Sequence, residues 1–199
     1  MSDTAIKVLD RLREGNRRFL AGTSRRKEHQ EARPLVKQAK PVAAIVGCID
    51  SRVAPELVFD QDLGDLMTAR VGGNILNGDI VASLEIACGV AGVELVVVLG
   101  HSDCVAVRYA CKGPGSGETD GLLEKIRPAV DATSDPEDPE QRSADNDAFV
   151  NAVSRCNAAM VASNVVRQSA VLADLQAQSR LMVVSAYYDT DTGAVEFQS

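Results

Sequence analysis

Residues 41–52 read PVAAIVGCIDSR, an apolar run that breaks off into a cysteine, an aspartate and an arginine. Val42, Ala43, Ala44, Ile45 and Val46 show no polar alternation and include β-branched members, the pattern of a central strand in a parallel sheet covered on both faces. Pro41 marks its start and Gly47 lets the backbone turn. In open parallel sheets ligands bind outside the carboxyl ends of the strands, so Cys48, Asp50 and Arg52 stand where such folds carry their chemistry. Residues 94–104, ELVVVLGHSDC, repeat the design: an apolar run, a glycine, then side chains of ligand type. His101 and Cys104 are spaced H-x-x-C, which in the turn after a strand can bring an imidazole and a thiolate onto one ion. With Cys48 they make a two-sulfur, one-nitrogen set suited to zinc. Three protein ligands leave one position open, as in catalytic and not structural zinc sites.

Working outward, residues 3–21 place Ile6, Leu9, Leu12, Phe19 and Leu20 at helical spacing, with Ser2 or Asp3 as cap and Gly22 as stop. That apolar stripe needs a surface to bury against. Residues 23–40 are polar, contain Pro34 and read as a loop and a short helix. APELVFDQDLGD has a proline near a helix start, residues 66–71 supply a second strand, and residues 70–74 a paired-glycine turn. Residues 79–90 form a helix with Ile80, Leu84 and Ala87 on one side, ended by Gly92. Strand, helix and strand in alternation are the signature of a parallel α/β fold. KGPGSGETDG follows a helix and lacks the G-K-S/T ending, so it is a surface connection and not a phosphate loop. Residues 122–130 read as helical, 131–142 as an exposed loop, and 145–178 as one or two helices carrying Val150, Val153, Met160, Val161, Val165 and Leu172. Residues 181–186 give a fourth strand, 189–193 a hairpin turn and 194–198 an antiparallel edge strand. The fold class expected is therefore α/β: one domain, a mostly parallel sheet of four strands plus an antiparallel edge strand, flanked by helices. Residues 1–40 are expected to form an N-terminal helical arm and residues 41–199 the zinc-binding domain.

The chain has 199 residues, 45% hydrophobic and 25% charged, an ordinary globular composition for a single domain. A formal net charge of -7 argues against a nucleic-acid partner, whose phosphates it would repel. The basic cluster Arg25, Arg26, Lys27 reads as a solvated face. No apolar run reaches membrane length, and the N-terminus lacks the basic-then-apolar pattern of a secretory signal, so a cytoplasmic protein without a membrane partner is expected. Five cysteines are an odd set that favours reduced thiols over a disulfide framework. Cys88 and Cys156 read as small buried hydrophobes, and Cys111 is placed by no motif. His29 reads as solvated and Asp103 as a helix cap.

C-x-D-S-R at the first strand end and H-x-x-C at the second, with FDQDLGDL and RVGGN between them, resemble the β-class carbonic anhydrases. The resemblance runs from LDRLREGNRRFLAG near the N-terminus to YYDTDTGAVEF near the end. It implies reversible hydration of carbon dioxide to bicarbonate and a proton, on a zinc ion held by Cys48, His101 and Cys104. Zinc lowers the pKa of bound water from about 15.7 to roughly 7, which yields a zinc-bound hydroxide as nucleophile. Asp50 and Arg52 match the family's catalytic dyad, Asp50 orienting the nucleophile and Arg52 keeping it ionised. By resemblance Asp50 can also swing onto the metal and switch the enzyme off. N-terminal arms of the family pack across a dimer, which implies a homodimer or a higher homo-oligomer. Two positions depart from the pattern: Val105 stands where the family commonly has a glycine after the second cysteine, and Ala39 where it often has a glutamine, with Gln38 one place off. Hydrolysis of an analogue such as carbonyl sulfide, or zinc binding without turnover, are the alternatives these departures leave open.

Overall fold

The computed structural model describes residues 2–25 and 40–198. Five strands, β1 (Ala43–Gly47), β2 (Leu66–Arg70), β3 (Leu95–His101), β4 (Met182–Tyr188) and β5 (Val195–Gln198), form one sheet in the order β2-β1-β3-β4-β5. The first four run parallel and β5 is antiparallel to β4, as the patterning requires. Every residue of β1 and β3 is buried, the consequence of unbroken apolar runs in strands covered on both sides. Gly47 stands opposite Leu99, so Cys48 and His101 both emerge at the carboxyl edge of the sheet.

The helices are α1 (Asp3–Leu20), α2 (Pro55–Val58), α3 (Gly78–Glu85), α4 (Val105–Lys112), α5 (Glu118–Leu123), α6 (Arg127–Ala132), α7 (Asp147–Val165) and α8 (Ala170–Ala177). Successive strand residues point to opposite faces. Ala44, Val46, Val96 and Val98 therefore meet α3, α7 and α8 through Leu84, Val161 and Leu172. Ala43, Ile45, Leu95, Val97 and Leu99 meet Ala5, Leu9 and Leu12 of α1, with Val58 and Phe59. A third cluster, with Val107, Leu123, Ile126, Phe149 and Val153, packs around Cys48 and Cys104.

Three expectations are corrected. The face that α1 buries is Ala5, Leu9, Leu12, Gly15 and Asn16, while Ile6 and Leu20 are 40% and 47% exposed. Close approach sets that choice: a Cβ at Gly15 would lie 1.8 Å from the Phe59 carbonyl oxygen. The polar Asn16 belongs there because its Nδ2 donates to the carbonyls of Val58 (3.1 Å) and Gly193 (2.9 Å), and its Oδ1 accepts Val195 N–H at 2.9 Å. The stripe thus finds its partner surface within its own chain. Residues 122–130 are not one helix; Pro128, which has no N–H, sits in the first turn of a new helix, α6. Part of the glycine-rich connection is also helical, since α5 begins at Glu118. The short helix expected in residues 23–40, with Pro34, His29, Gln38 and Ala39, lies outside the described residues. No helix among the described residues is long and apolar enough to cross a membrane.

Candidate metal centre

Cys48 follows β1, His101 ends β3, and Cys104 directly precedes α4. All three are buried, and their ligand atoms lie within 4.8 Å of one another. The two sulfurs are 3.8 Å apart. Zn–S bonds of about 2.3 Å at the tetrahedral angle separate two sulfurs by about 3.8 Å, so the spacing already fits one ion. His101 Nδ1 stands 2.8 Å from the Ser102 carbonyl oxygen. A carbonyl only accepts, so the proton is on Nδ1 and Nε2 keeps its lone pair. That Nε2 is buried with no hydrogen-bond partner, a costly orphan unless a ligand takes it. The donor set therefore fits zinc.

Electrostatics within the group are those of a pair sharing a proton. The thiol of Cys104 hydrogen-bonds to Cys48 and, against the opposing effect of burial, holds it well below the ordinary thiol range, helped by the amides of Asp50 and Gly73. Cys104 is pushed up, first by that bond to Cys48 and then by burial. Gly73 donates its N–H to Cys48 Sγ at 3.3 Å. Its φ is +66°, and a Cβ there would meet Ile126 Cδ1 at 2.5 Å, so glycine is the residue this position favours.

Asp50 is bound by Arg52 at both oxygens, Nε to Oδ1 at 3.0 Å and Nη2 to Oδ2 at 2.8 Å, and Oδ1 also accepts Arg52 N–H at 2.9 Å. These hydrogen bonds pull the carboxyl down to about 2. Among the described residues the metal-suited group contains Cys48, His101 and Cys104 only, and Asp50 stands in its pair with Arg52. Arg70 braces the loop from the next strand, giving Nε to the Cys48 carbonyl (2.6 Å) and Nη2 to the Asp50 carbonyl (2.5 Å).

Asp103 does not cap a helix with its side chain, as expected from the sequence; Cys104 holds the cap position and makes no side-chain cap bond. Asp103 instead adopts φ +60°, donates its N–H to Asn151 Oδ1 at 2.9 Å, and takes Arg108 Nη2 on Oδ1 at 2.8 Å. Its carbonyl accepts Arg52 Nη2 at 3.2 Å. Arg70, Arg108 and Asn151 were not foreseen as parts of the site. Only Arg70 left a trace in the sequence, as the first residue of the RVGGN turn.

The group opens onto a cleft of about 980 Å³ lined by Ile49, Asp50, Arg52, Val105, Tyr109 and Leu122 among others. Val105 is 60% exposed on its wall and lies outside the residues with positive φ, so its side chain imposes no backbone strain there. Cys88 is buried, Cys111 and Cys156 are half-buried, and burial pushes the Cys88 and Cys111 thiols up to about 11.

A family model described as carbonic anhydrase matches residues 43–195. Carbonic anhydrase 2 of Mycobacterium tuberculosis is 40% identical over 128 residues, 60% of this chain and 61% of that protein. The carbonic anhydrase of Mycolicibacterium smegmatis is 37% identical over 126 residues, with the same shares of 60% and 61%. The chain thus spans about 61% of the length of the curated relatives it matches. Among solved structures, the β-carbonic anhydrase CafA of Aspergillus fumigatus superposes with a TM-score of 0.75 at 24% identity, over 99% of this chain and 91% of its own. A tetrameric β-carbonic anhydrase from Sordaria macrospora does so with 0.71 at 20% identity, over 100% and 98%. At such identities the structural likeness speaks to the fold, while the family match extends across most of the chain and both halves of the Cys–His–Cys group. On that match the chain belongs to the carbonic anhydrase family, and its fold is the one seen in the β-class enzymes.

Proposed function

We propose that this chain catalyses the reversible hydration of carbon dioxide to bicarbonate and a proton, with one zinc ion held by Cys48, His101 and Cys104. The observation that carries the proposal is the convergence of two sulfurs 3.8 Å apart and an orphaned imidazole nitrogen at the edge of a cleft. Zinc in such a set supplies Lewis acidity that makes hydroxide available near neutral pH. The chain supplies orientation. With its carboxyl near 2, Asp50 is a pure acceptor at any physiological pH, and Oδ2, which takes one N–H from Arg52, keeps lone-pair capacity for a reactant hydroxyl. The apolar wall of Ile49, Val105, Ala106 and Leu122 suits a nonpolar substrate. Arg52, 46% exposed at the mouth, presents positive charge to the anionic product.

Residues 41–199 are proposed as the catalytic domain and residues 1–40 as an N-terminal arm whose helix α1 is docked on it. Free thiols at Cys88, Cys111 and Cys156 suit a reducing compartment, which supports a cytoplasmic location. Exposed Ile49, Val105 and Tyr109 around the cleft support a homodimer or a higher homo-oligomer. Val105 on the wall favours a second reading, hydrolysis of carbonyl sulfide by the same centre.

Metal analysis should find one zinc per chain, and Cys104→Ser should remove it together with turnover in a stopped-flow assay of carbon dioxide hydration. Full zinc occupancy in Cys104→Ser would overturn the ligand assignment. Zinc-loaded wild-type protein without turnover on either substrate would leave a metal-binding homologue.

A further inference from the structure

The hairpin between β4 and β5 reaches back to the metal centre. Ser102, which follows His101, is buried; its hydroxyl oxygen accepts the Thr190 backbone N–H at 2.8 Å and stands 2.8 Å from Thr190 Oγ1. The Ser102 N–H donates to the Tyr188 carbonyl at 2.9 Å. The hairpin is braced by its own first residue. Asp189 Oδ1 accepts the N–H groups of Asp191 and Thr192, each at 2.9 Å, and the Asp189 carbonyl accepts Gly193 N–H at 2.8 Å. Gly193 makes the return with φ +79°.

The bonds to Tyr188 and Thr190 hold Ser102 next to one peptide unit, the one it shares with Asp103. Its carbonyl is that of Ser102, which takes the Nδ1 proton of His101, and its N–H is that of Asp103, which donates to Asn151 Oδ1. In the peptide unit just before it, between His101 and Ser102, the carbonyl accepts Ser154 Oγ at 2.7 Å while the N–H is the one given to Tyr188. The peptide acceptor that decides which ring nitrogen keeps its lone pair is thus gripped from β4, the hairpin and α7.

We infer that Ser102 and Thr190 form a clasp that positions the imidazole of His101 for a metal ion. They are positioning residues: neither offers an atom to the ligand group, and both act through the Ser102 carbonyl. The inference rests on the assignment of Cys48, His101 and Cys104 as ligands. Without the clasp, the Ser102 peptide loses its tie to the hairpin and keeps only the bonds through Tyr188, Ser154 and Asn151, so its carbonyl is held less firmly against Nδ1. The proton then distributes between the ring nitrogens, and the form protonated on Nε2 cannot bind the ion. Partners that fix a ligating histidine in this way typically contribute about 10–100-fold in metal affinity.

The test compares zinc-loaded wild type with Ser102→Ala, Thr190→Val and Thr190→Ser. Zinc release to a chelator gives the affinity, and the visible bands of the cobalt-substituted proteins give the ligand geometry. Ser102→Ala should hold zinc about 10–100-fold more weakly and shift the cobalt bands. Thr190→Val, which keeps the backbone N–H, should move both readouts in the same direction by less, and Thr190→Ser should restore them. Variants that melt earlier yet retain wild-type zinc affinity and cobalt bands would reduce the clasp to a structural contact. Should Ser102→Ala fail to fold, the Thr190 pair decides alone, since the half-exposed hairpin leaves room for both substitutions. Wild-type protein that takes up no zinc overturns the ligand assignment and the clasp with it. Wild-type protein that takes up zinc, beside variants that release it no faster, overturns the clasp alone.

Discussion

The role proposed for Asp50 needs a carboxylate that stays ionised. Its pairing with Arg52 places the carboxyl at about 2, below the ordinary aspartate value, so the pair contributes stability that is complete above about pH 4 and is lost as pH falls toward 2. Activity in the neutral range should therefore show no titration of Asp50. Asp50→Asn should keep zinc and lose about 10²–10⁴-fold in turnover, because an amide cannot reproduce the charged pair or the acceptor. Unchanged turnover in that variant would demote Asp50 to a structural role. Val105 poses the opposite question, whether a side chain that makes no bond matters. It lies in the first turn of α4 without positive φ, so replacing it by glycine relieves no backbone strain and costs at most about 1 kcal/mol of helix propensity. What changes is the wall of the cleft. Val105→Gly should raise carbon dioxide turnover at constant zinc content and change the ratio of carbon dioxide to carbonyl sulfide turnover. Equal rates for both proteins on both substrates would show that the wall does not limit approach.

Helix α1 shows how an element's surroundings overrule its own propensity. Exchanging glycine for alanine inside an isolated helix stabilises it by about 1 kcal/mol. At Gly15 the new Cβ would fall 1.8 Å from the Phe59 carbonyl oxygen, and backbone cannot step aside as a flexible side chain does. Overpacking of this kind costs about 1–3 kcal/mol, so Gly15→Ala should lower stability in urea denaturation. A stabilised variant would mean that α1 is not seated against α2 in solution. The same position explains what the sequence could not disclose. Helical spacing rightly picks out Leu9 and Leu12 but also Ile6 and Leu20, because they are large and apolar, whereas the rest of the contact is made by Ala5, a glycine and an asparagine, the last two of value for what they meet across the chain. β1, β3 and the ligand spacing were readable because each is local, written in about a dozen consecutive residues. Arg108, Asn151 and Thr190 were not, since their roles depend on partners brought to them by the fold and by no pattern of their own.

At the scale of the whole molecule, the sheet order leaves β2 as an edge strand, half-buried along Leu66–Ala69, while the cleft opens beside Ile49, Val105 and Tyr109, which are 66%, 60% and 55% exposed. An unpaired strand edge and an apolar rim continuous with a cleft are the kinds of surface that a second copy covers. The stripe of α1 no longer argues for association, because Leu9 and Leu12 are buried within the chain. If the protein associates, its interface should therefore run through the cleft rim and be insensitive to the exposed side of α1. Light scattering of the zinc-loaded protein at micromolar concentration is expected to give at least a dimer. Tyr109→Glu, which sets a charge on the rim, should shift it toward monomer, and Ile6→Ser, on the exposed side of α1, should leave it unchanged. Dissociation by Ile6→Ser with no effect of Tyr109→Glu would move the interface to the arm, and a wild-type monomer would show that the rim stays open to solvent.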